Sequence, residues 1–354
     1  MARSGKPPAP PRRTAKEVII DGRRLELSNL GKVLYPESGF TKGDLIDYYT
    51  EIAPVLLPHL KGRALTLKRY PEGVNGFFFY EKRCPPHRPD WLHTASVYSH
   101  GRGQNIDFCL ADNLPSLIWA ANLADIELHT SLALAKAQDR PTSMVFDLDP
   151  GEGANIVNCA EVALWLHDKL QERKLASFVK TSGSKGLQLY VPLNTSVTFD
   201  ETKVFAHQLA QEIEIEHPDK VVTKMSKELR RKKVMIDWSQ NDEHKTTICV
   251  YSLRAKADPS VSMPLHWAEV ASLFATKKPE RVRFVAEAAV IRTKSEGDLF
   301  EPVLKLKQKL PRLEAGAATS RVATSRRGPA SQRSEISRTT SRARLSSRKP
   351  RKTG

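Results

Sequence analysis

Met144-Val-Phe-Asp-Leu-Asp-Pro-Gly151 is an apolar run broken at alternate positions by two acids. On a strand, residues i and i+2 face the same way, so Asp147 and Asp149 project side by side with Phe146 and Leu148 behind them. Carboxylates that close repel each other unless a positive charge lies between them. A divalent cation meets that need, and carboxylate oxygens suit Mg2+ or Mn2+. Asp149-Pro150-Gly151 ends the strand and sets the pair at its tip. An isolated Asp-x-Asp has a plainer explanation, with Asp147 paired to a lysine and Asp149 capping the turn. The rest of the chain has to choose between the two.

The 354 residues are 40% hydrophobic and 27% charged, which suits a soluble globular protein of one large domain or two smaller ones. No apolar run approaches the ~20 residues that span a bilayer, so no membrane partner is expected. The Pro- and Arg-rich N-terminus lacks the apolar core of a secretory signal. Cys84, Cys109, Cys159 and Cys249 are far apart with no Cys-x-x-Cys pair; they are expected to be reduced, mostly buried and not zinc ligands.

The net charge of +16 is concentrated in the termini. Residues 311–354 carry 12 Lys and Arg against Glu314 and Glu335, and residues 1–16 carry five cations and no acid, leaving +1 for residues 17–310. Three segments are therefore predicted: a disordered basic N-terminus (1–16), a folded domain (17–310) and a disordered Arg/Ser-rich tail (311–354) too poor in large apolar residues to fold. Such an arm binds polyanions by counterion release, and nucleic acid is the expected partner.

Val18-Ile19-Ile20 and Leu25-Glu26-Leu27, split by Asp21-Gly22, predict a hairpin. Residues 28–36 are expected to be irregular. Thr41 caps a predicted helix to about Leu57, with Leu45, Ile46, Tyr49 and Ile52 in helical period. Lys42 lies in its first turn, where a cation opposes the helix dipole and a phosphate is favoured; a solvated lysine is the plainer alternative. Ala64–Tyr70 reads as a strand bearing Lys68 and Arg69. Phe77-Phe-Phe-Tyr80 reads as a strand whose four aromatics cannot all face one core, leaving two for a nucleobase or for burial on a second face. Ile126-Glu127-Leu128-His129 is a strand with Glu127 and His129 on one side.

After the acid pair come a helix over 154–174, the strand Phe178–Thr181, the loop Ser182-Gly-Ser-Lys-Gly186 and the strand Leu187–Val191. A Ser/Gly loop with one lysine offers N–H groups and a cation at one point, as a phosphate site does, although ordinary hairpin turns also look like this. A helix from Glu201 to about Ile215, a basic loop over 227–233 and the strand Val234–Trp238 follow. That strand carries a third acid, Asp237.

In this order, Asp147-x-Asp149, Ser182–Gly186, Asp237-Trp-Ser-Gln240 and Tyr251-Ser-Leu-Arg254 resemble the polymerase domain of bacterial DNA ligase D, in the archaeo-eukaryotic primase superfamily. The resemblance covers about residues 17–300, without an attached ligase or nuclease module, as in a stand-alone form. It implies an α/β primase-polymerase fold whose mixed, largely antiparallel catalytic sheet is flanked by helices.

The resemblance also implies roles. Asp147, Asp149 and Asp237 would hold two ions, Mn2+ or Mg2+. Ser182, Ser184, Lys185 and Arg254 would bind the triphosphate, with Lys68 and His129 near the incoming nucleotide. Asn29, Lys32 and Lys42 would hold a downstream 5′-phosphate, Phe79 and Tyr80 would stack on the template, and Arg230 would contact nucleotide or DNA. Gln188 stands where the family loop usually has a histidine that reaches the triphosphate; it can donate but stays neutral. The segment after His129 is short against the family.

The implied activity is DNA-directed nucleotidyl transfer at gapped, nicked or broken DNA ends in end-joining repair, favouring NTP over dNTP. Ku and a separate ligase are implied partners, in the bacterial cytoplasm at the nucleoid. A non-catalytic end-binding scaffold and a primase that needs no primer are the alternatives.

Overall fold

The computed structural model describes residues 15–99 and 103–311. The predicted basic N-terminus and tail lie almost wholly outside the described residues.

The first strands, β1 (Ala15–Ile20) and β2 (Arg23–Ser28), form the expected hairpin. Its turn residues Asp21 and Gly22 have φ of 46° and 73°, which is the handedness a two-residue hairpin turn requires. The segment expected to be irregular contains a short ladder, β3 (Val33–Tyr35) with β4 (Phe40–Thr41). Thr41 then caps α1 (Lys42–Leu60). Its hydroxyl accepts from the Asp44 N–H, and Asp44 accepts from the Thr41 N–H. The helix continues past Leu57 and includes Pro54 and Pro58.

Next are β5 (Leu65–Arg69), β6 (Phe79–Glu81), β7 (Thr94–Ser99), β8 (Gln104–Cys109), α2 (Leu114–Asn122) and β9 (Asp125–Thr130). The second half holds β10 (Ser143–Pro150), α3 (Ile156–Glu172), β11 (Phe178–Thr181), β12 (Leu187–Pro192), α4 (Phe199–Glu216), β13 (Val221–Val222) and β14 (Val234–Asp237). Then follow β15 (Thr247–Ile248), β16 (Leu253–Ala255), β17 (Pro259–Val261), β18 (Pro264–Leu265), α5 (Trp267–Thr276), α6 (Ala286–Glu296) and α7 (Glu301–Lys305).

Two large sheets organise these strands. One has the order β13-β14-β10-β12-β11-β18, antiparallel at every pairing except β13–β14. The other runs β15-β9-β5-β8-β7, with β6 paired to β5. The fold is the expected α/β class with a mixed, largely antiparallel sheet. In β5 and β9 the side chains alternate as a one-sided sheet demands. Leu65, Leu67, Ile126 and Leu128 are buried in one cluster with Tyr49, Ile52 and Leu56 of α1 and Leu117 and Ile118 of α2. Lys68, Glu127 and His129 are left for the opposite face.

The cysteine expectation needs correction. Cys159 and Cys249 are free and buried, but Cys84 and Cys109 form a disulfide. The Cys84 N–H donates to the Asp107 carbonyl at 2.7 Å, and β5 meets β8 at Leu65–Cys109, which brings the two Cα atoms to 4.8 Å. Their separation of 25 positions is a product of this sheet edge and matches no local motif.

Candidate active site

β10 lies between β14 and β12, and its register sets the acids in place. Asp147 is opposite Asp237 on one side and opposite Gln188 on the other. Phe146 and Leu148 are fully buried, and α3 and α4 pack on this strand. Burial, then the charge of Asp149 and of Asp237, pushes the Asp147 carboxyl up to about 7. Burial and Asp237 raise Asp149 as well. Asp237 Oδ1 accepts from the Ser239 N–H at 2.9 Å and from its hydroxyl at 2.5 Å. Its Oδ2 has only a 3.3 Å contact with Gln240 and lies 3.9 Å from Lys245 Nζ.

The donor set is made of carboxylate oxygens that repel one another, which is the chemistry of a hard divalent ion. These residues fit such an ion by type and by charge. Among the described residues no three His, Cys, Asp or Glu side chains converge as a finished metal shell, and Asp237 is turned onto Ser239.

The same row continues outward. Gln188 on β12 is opposite Lys180 on β11. Lys180 is wholly buried and donates to Gln188 Oε1 at 2.6 Å and to Ser262 Oγ at 2.7 Å. Burial pulls its ammonium down to about 7, against the opposing charge of Asp147. Gln188, only 3% exposed, faces Asp147 across the strand pair and works against the rise of that carboxyl. It is therefore committed inside the sheet, whereas the resemblance had it reaching a triphosphate.

The Ser182–Gly186 loop joins β11 to β12 beside the acids. The Ser182 hydroxyl accepts the N–H groups of Ser184 and Gly186, at 3.3 and 3.1 Å, and Ser182 is buried. Ser184 and Lys185 are exposed. Arg254 Nη1 donates to the Ser182 carbonyl at 2.6 Å. A cavity of about 630 Å³ is lined by Ser184, Lys185, Lys256 and Asn155, the N-cap residue of α3. Burial, then the charges of Arg254, Lys68 and Lys185, lowers the Lys256 ammonium. Like charges gathered at one cavity call for an anion.

Glu127, 1% exposed, binds the cations from below. It accepts from Lys68 Nζ and His129 Nε2, each at 3.0 Å, and from the Ala255 N–H at 3.0 Å, and it lies 3.4 Å from Arg254 Nε. Its burial favours the neutral acid, but the His129 hydrogen bond with the charges of Arg254 and Lys68 outweighs this and holds it well below the usual carboxylate range. Burial lowers His129 despite Glu127, aided by Arg254 and Lys68.

The aromatics divide by face. Tyr80 is opposite Lys68 and Phe79 is opposite Arg69. Lys68 Nζ lies 4.9 Å from the Phe78 ring and 5.4 Å from the Tyr80 ring, and Tyr80 meets His129 at 5.8 Å. Phe79 stacks with Phe77 and lies over Arg69 on the other face. The strand is limited to Phe79–Glu81, and the structure separates Phe79 from Tyr80 while joining Phe78 to the site.

Asn29, Lys32 and Lys42 are brought together by backbone bonds, Lys32 N–H to Asn29 and Lys42 N–H to Lys32. The Lys42 ammonium, buried, donates to the Ser28 carbonyl at 2.6 Å, and Lys32 pairs with Glu72 at 3.2 Å. Arg230 ends a 3-10 turn (Lys227–Arg230) packed on Gly151, and its charge acts on Asp149.

Sequence reasoning assigns no role to Glu127, Lys180 or Lys256. Lys256 follows Arg254 by two, the same spacing that singles out the acid pair. Glu127 shares a strand face with His129, which is the one local sign that it belongs to the site.

Three comparisons bear on these residues. The family model described as LigD, primase-polymerase domain, matches residues 41–300. The multifunctional non-homologous end joining protein LigD of Mycobacterium bovis is 39% identical over 287 residues, covering 79% of this chain and 37% of that protein. The bifunctional non-homologous end joining protein LigD of Bacillus subtilis is 31% identical over 278 residues, covering 78% and 44%. The chain thus spans less than half the length of these curated relatives. The solved polymerase domain from Mycobacterium tuberculosis ligase D in complex with DNA superposes with a TM-score of 0.74 at 37% identity, covering 80% of this chain and 99% of that one.

Proposed function

The chain belongs to the LigD primase-polymerase domain family, a family of nucleotidyltransferases, and on that premise we propose that it extends DNA primers and fills short gaps at DNA ends in non-homologous end joining. Its substrates would be gapped, nicked or broken DNA with a 5′-phosphate and NTP in preference to dNTP. Ku and a separate ligase would be its partners at the bacterial nucleoid.

The observation that carries this reading is the juxtaposition of three repelling carboxylates with a cavity lined by like cations. Asp147, Asp149 and Asp237 would hold two divalent ions, Mn2+ or Mg2+, which when bound supply Lewis-acid stabilisation to phosphoryl oxygens. The chain's own groups do the rest. Ser184, Lys185, Arg254 and Lys256 bind and neutralise the triphosphate. Glu127 keeps Lys68, His129 and Arg254 aimed at one side of the sheet. Phe78 and Tyr80 offer ring faces to a base. Asn29, Lys32 and Lys42 take the downstream 5′-phosphate at the start of α1.

Asp147→Ala and Asp237→Ala should each abolish nucleotide incorporation on a gapped duplex while DNA binding, measured by anisotropy, stays within about threefold. Full incorporation by either variant would overturn the assignment. Binding of DNA ends with no incorporation by the unmodified protein would point to a scaffold on the same fold.

A further inference from the structure

Four polar side chains form one row across adjacent strands: Asp237, Asp147, Gln188 and Lys180 on β14, β10, β12 and β11. Cross-strand neighbours share a face of the sheet, so the row is fixed by backbone register. We propose that Gln188 and Lys180 are positioning residues that fix the Asp147 carboxylate for the ion it would ligate; the proposal rests on the reading of Asp147 as a metal ligand.

The orientation of Gln188 is dictated at both ends. In its charged form Lys180 has three donors and no acceptor, which turns the amide oxygen of Gln188 toward it. The observed bond runs that way, Lys180 Nζ to Gln188 Oε1 at 2.6 Å. The NH2 group is thereby directed to the other neighbour in register, Asp147, whose ionised carboxylate accepts. A flipped amide would set NH2 against NH3+ and oxygen against carboxylate. Lys180 is held in turn by Ser262, whose hydroxyl donates to the Thr181 carbonyl at 2.9 Å, and by the ring of Tyr190 at 5.5 Å. With Lys180 at 0% and Gln188 at 3% exposure, no solvent competes for these bonds.

The identity of residue 188 then has a chemical meaning. A neutral imidazole also has one acceptor and one donor, and it could accept from Lys180 and donate to Asp147. Glutamine reproduces that pattern without a second protonation state. Residue 188 therefore acts on the carboxylate, whereas the exposed Ser184 and Lys185 face the nucleotide.

The test measures Mn2+ binding to the nucleotide-free protein by electron paramagnetic resonance, alongside steady-state primer extension. Gln188→Leu and the flexible Gln188→Met should each raise the Mn2+ dissociation constant about tenfold and lower kcat by a similar factor, as removal of a group orienting a metal ligand does. KM for the nucleotide should stay within about twofold, since the broken bond is not one to the nucleotide. Gln188→His should recover both parameters, Lys180→Met should resemble Gln188→Leu, and the double variant should be no worse than either single. A raised KM with unchanged Mn2+ affinity would place residue 188 on the nucleotide and overturn the proposal. So would a histidine variant as impaired as leucine, which would indicate packing alone. If the unmodified protein takes up no Mn2+, the metal reading itself falls, and the proposal falls with it.

Discussion

At the scale of single residues, Asp147 links stability to function. In the unfolded chain its carboxyl ionises near 3.8, whereas burial and its acidic neighbours push it up to about 7 in the fold. Between those values the folded state keeps a proton that the unfolded state has released. Stability is therefore lost as pH rises through this window and levels off above it. Asp147→Asn removes the titration. Its melting temperature relative to the parent, measured in chelator, should climb from pH 4 to 7 and then plateau, by on the order of several degrees. A difference that stays flat over that range would mean that Asp147 is ionised throughout. The acid pair was legible because i and i+2 share a strand face. Lys180 was not, because a lysine in an apolar strand ordinarily carries its charge to water. Its burial depends on Ser262, 82 positions away, and on a register that no local pattern encodes.

At the scale of elements, the phosphate-type loop and the acid-bearing strand are in backbone contact. A Cβ on Gly186 would lie 2.0 Å from the Leu148 carbonyl oxygen, so only glycine lets the loop approach the tip of β10. Gly186→Ala should cost on the order of 1–3 kcal/mol in urea unfolding as the loop is pushed off the strand, and it should raise KM for the nucleotide. An unchanged midpoint would show slack at that contact. The alternation rule correctly divided the four aromatics two and two. Which pair faces the site was decided by the pairing of Lys68 with Tyr80, a fact of tertiary register. Among helix starts, the Thr41 cap of α1 was legible, whereas Asn155 and Thr198, which cap α3 and α4, were not singled out in the sequence.

At the scale of the whole molecule, the charge of the chain and its site chemistry are separable. The 12 cations after residue 310 are remote in sequence from the acids and from the loop. Deleting residues 311–354 should weaken DNA binding to a similar degree for all sequences. It should also reduce the slope of log affinity against log salt by about 0.9 for each phosphate the tail had neutralised, leaving kcat at saturating DNA unchanged. A slope that does not move would show that the tail stays off the DNA. The order of motifs made the fold class legible, while the two-sheet arrangement that brings Glu127 to Arg254 came from pairings between distant strands.

The bond between Cys84 and Cys109 has a topological consequence. It turns the chain between them into a closed ring across 25 positions, holding β7 and β8. Closing a ring of that size removes roughly 3 kcal/mol of freedom from the unfolded chain. Cys84 lies just beyond β6, so the trailing end of the aromatic strand is tied to the end of β8 at a single knot. A backbone cut anywhere inside the ring would leave both pieces attached, and the aromatic strand would keep its anchor.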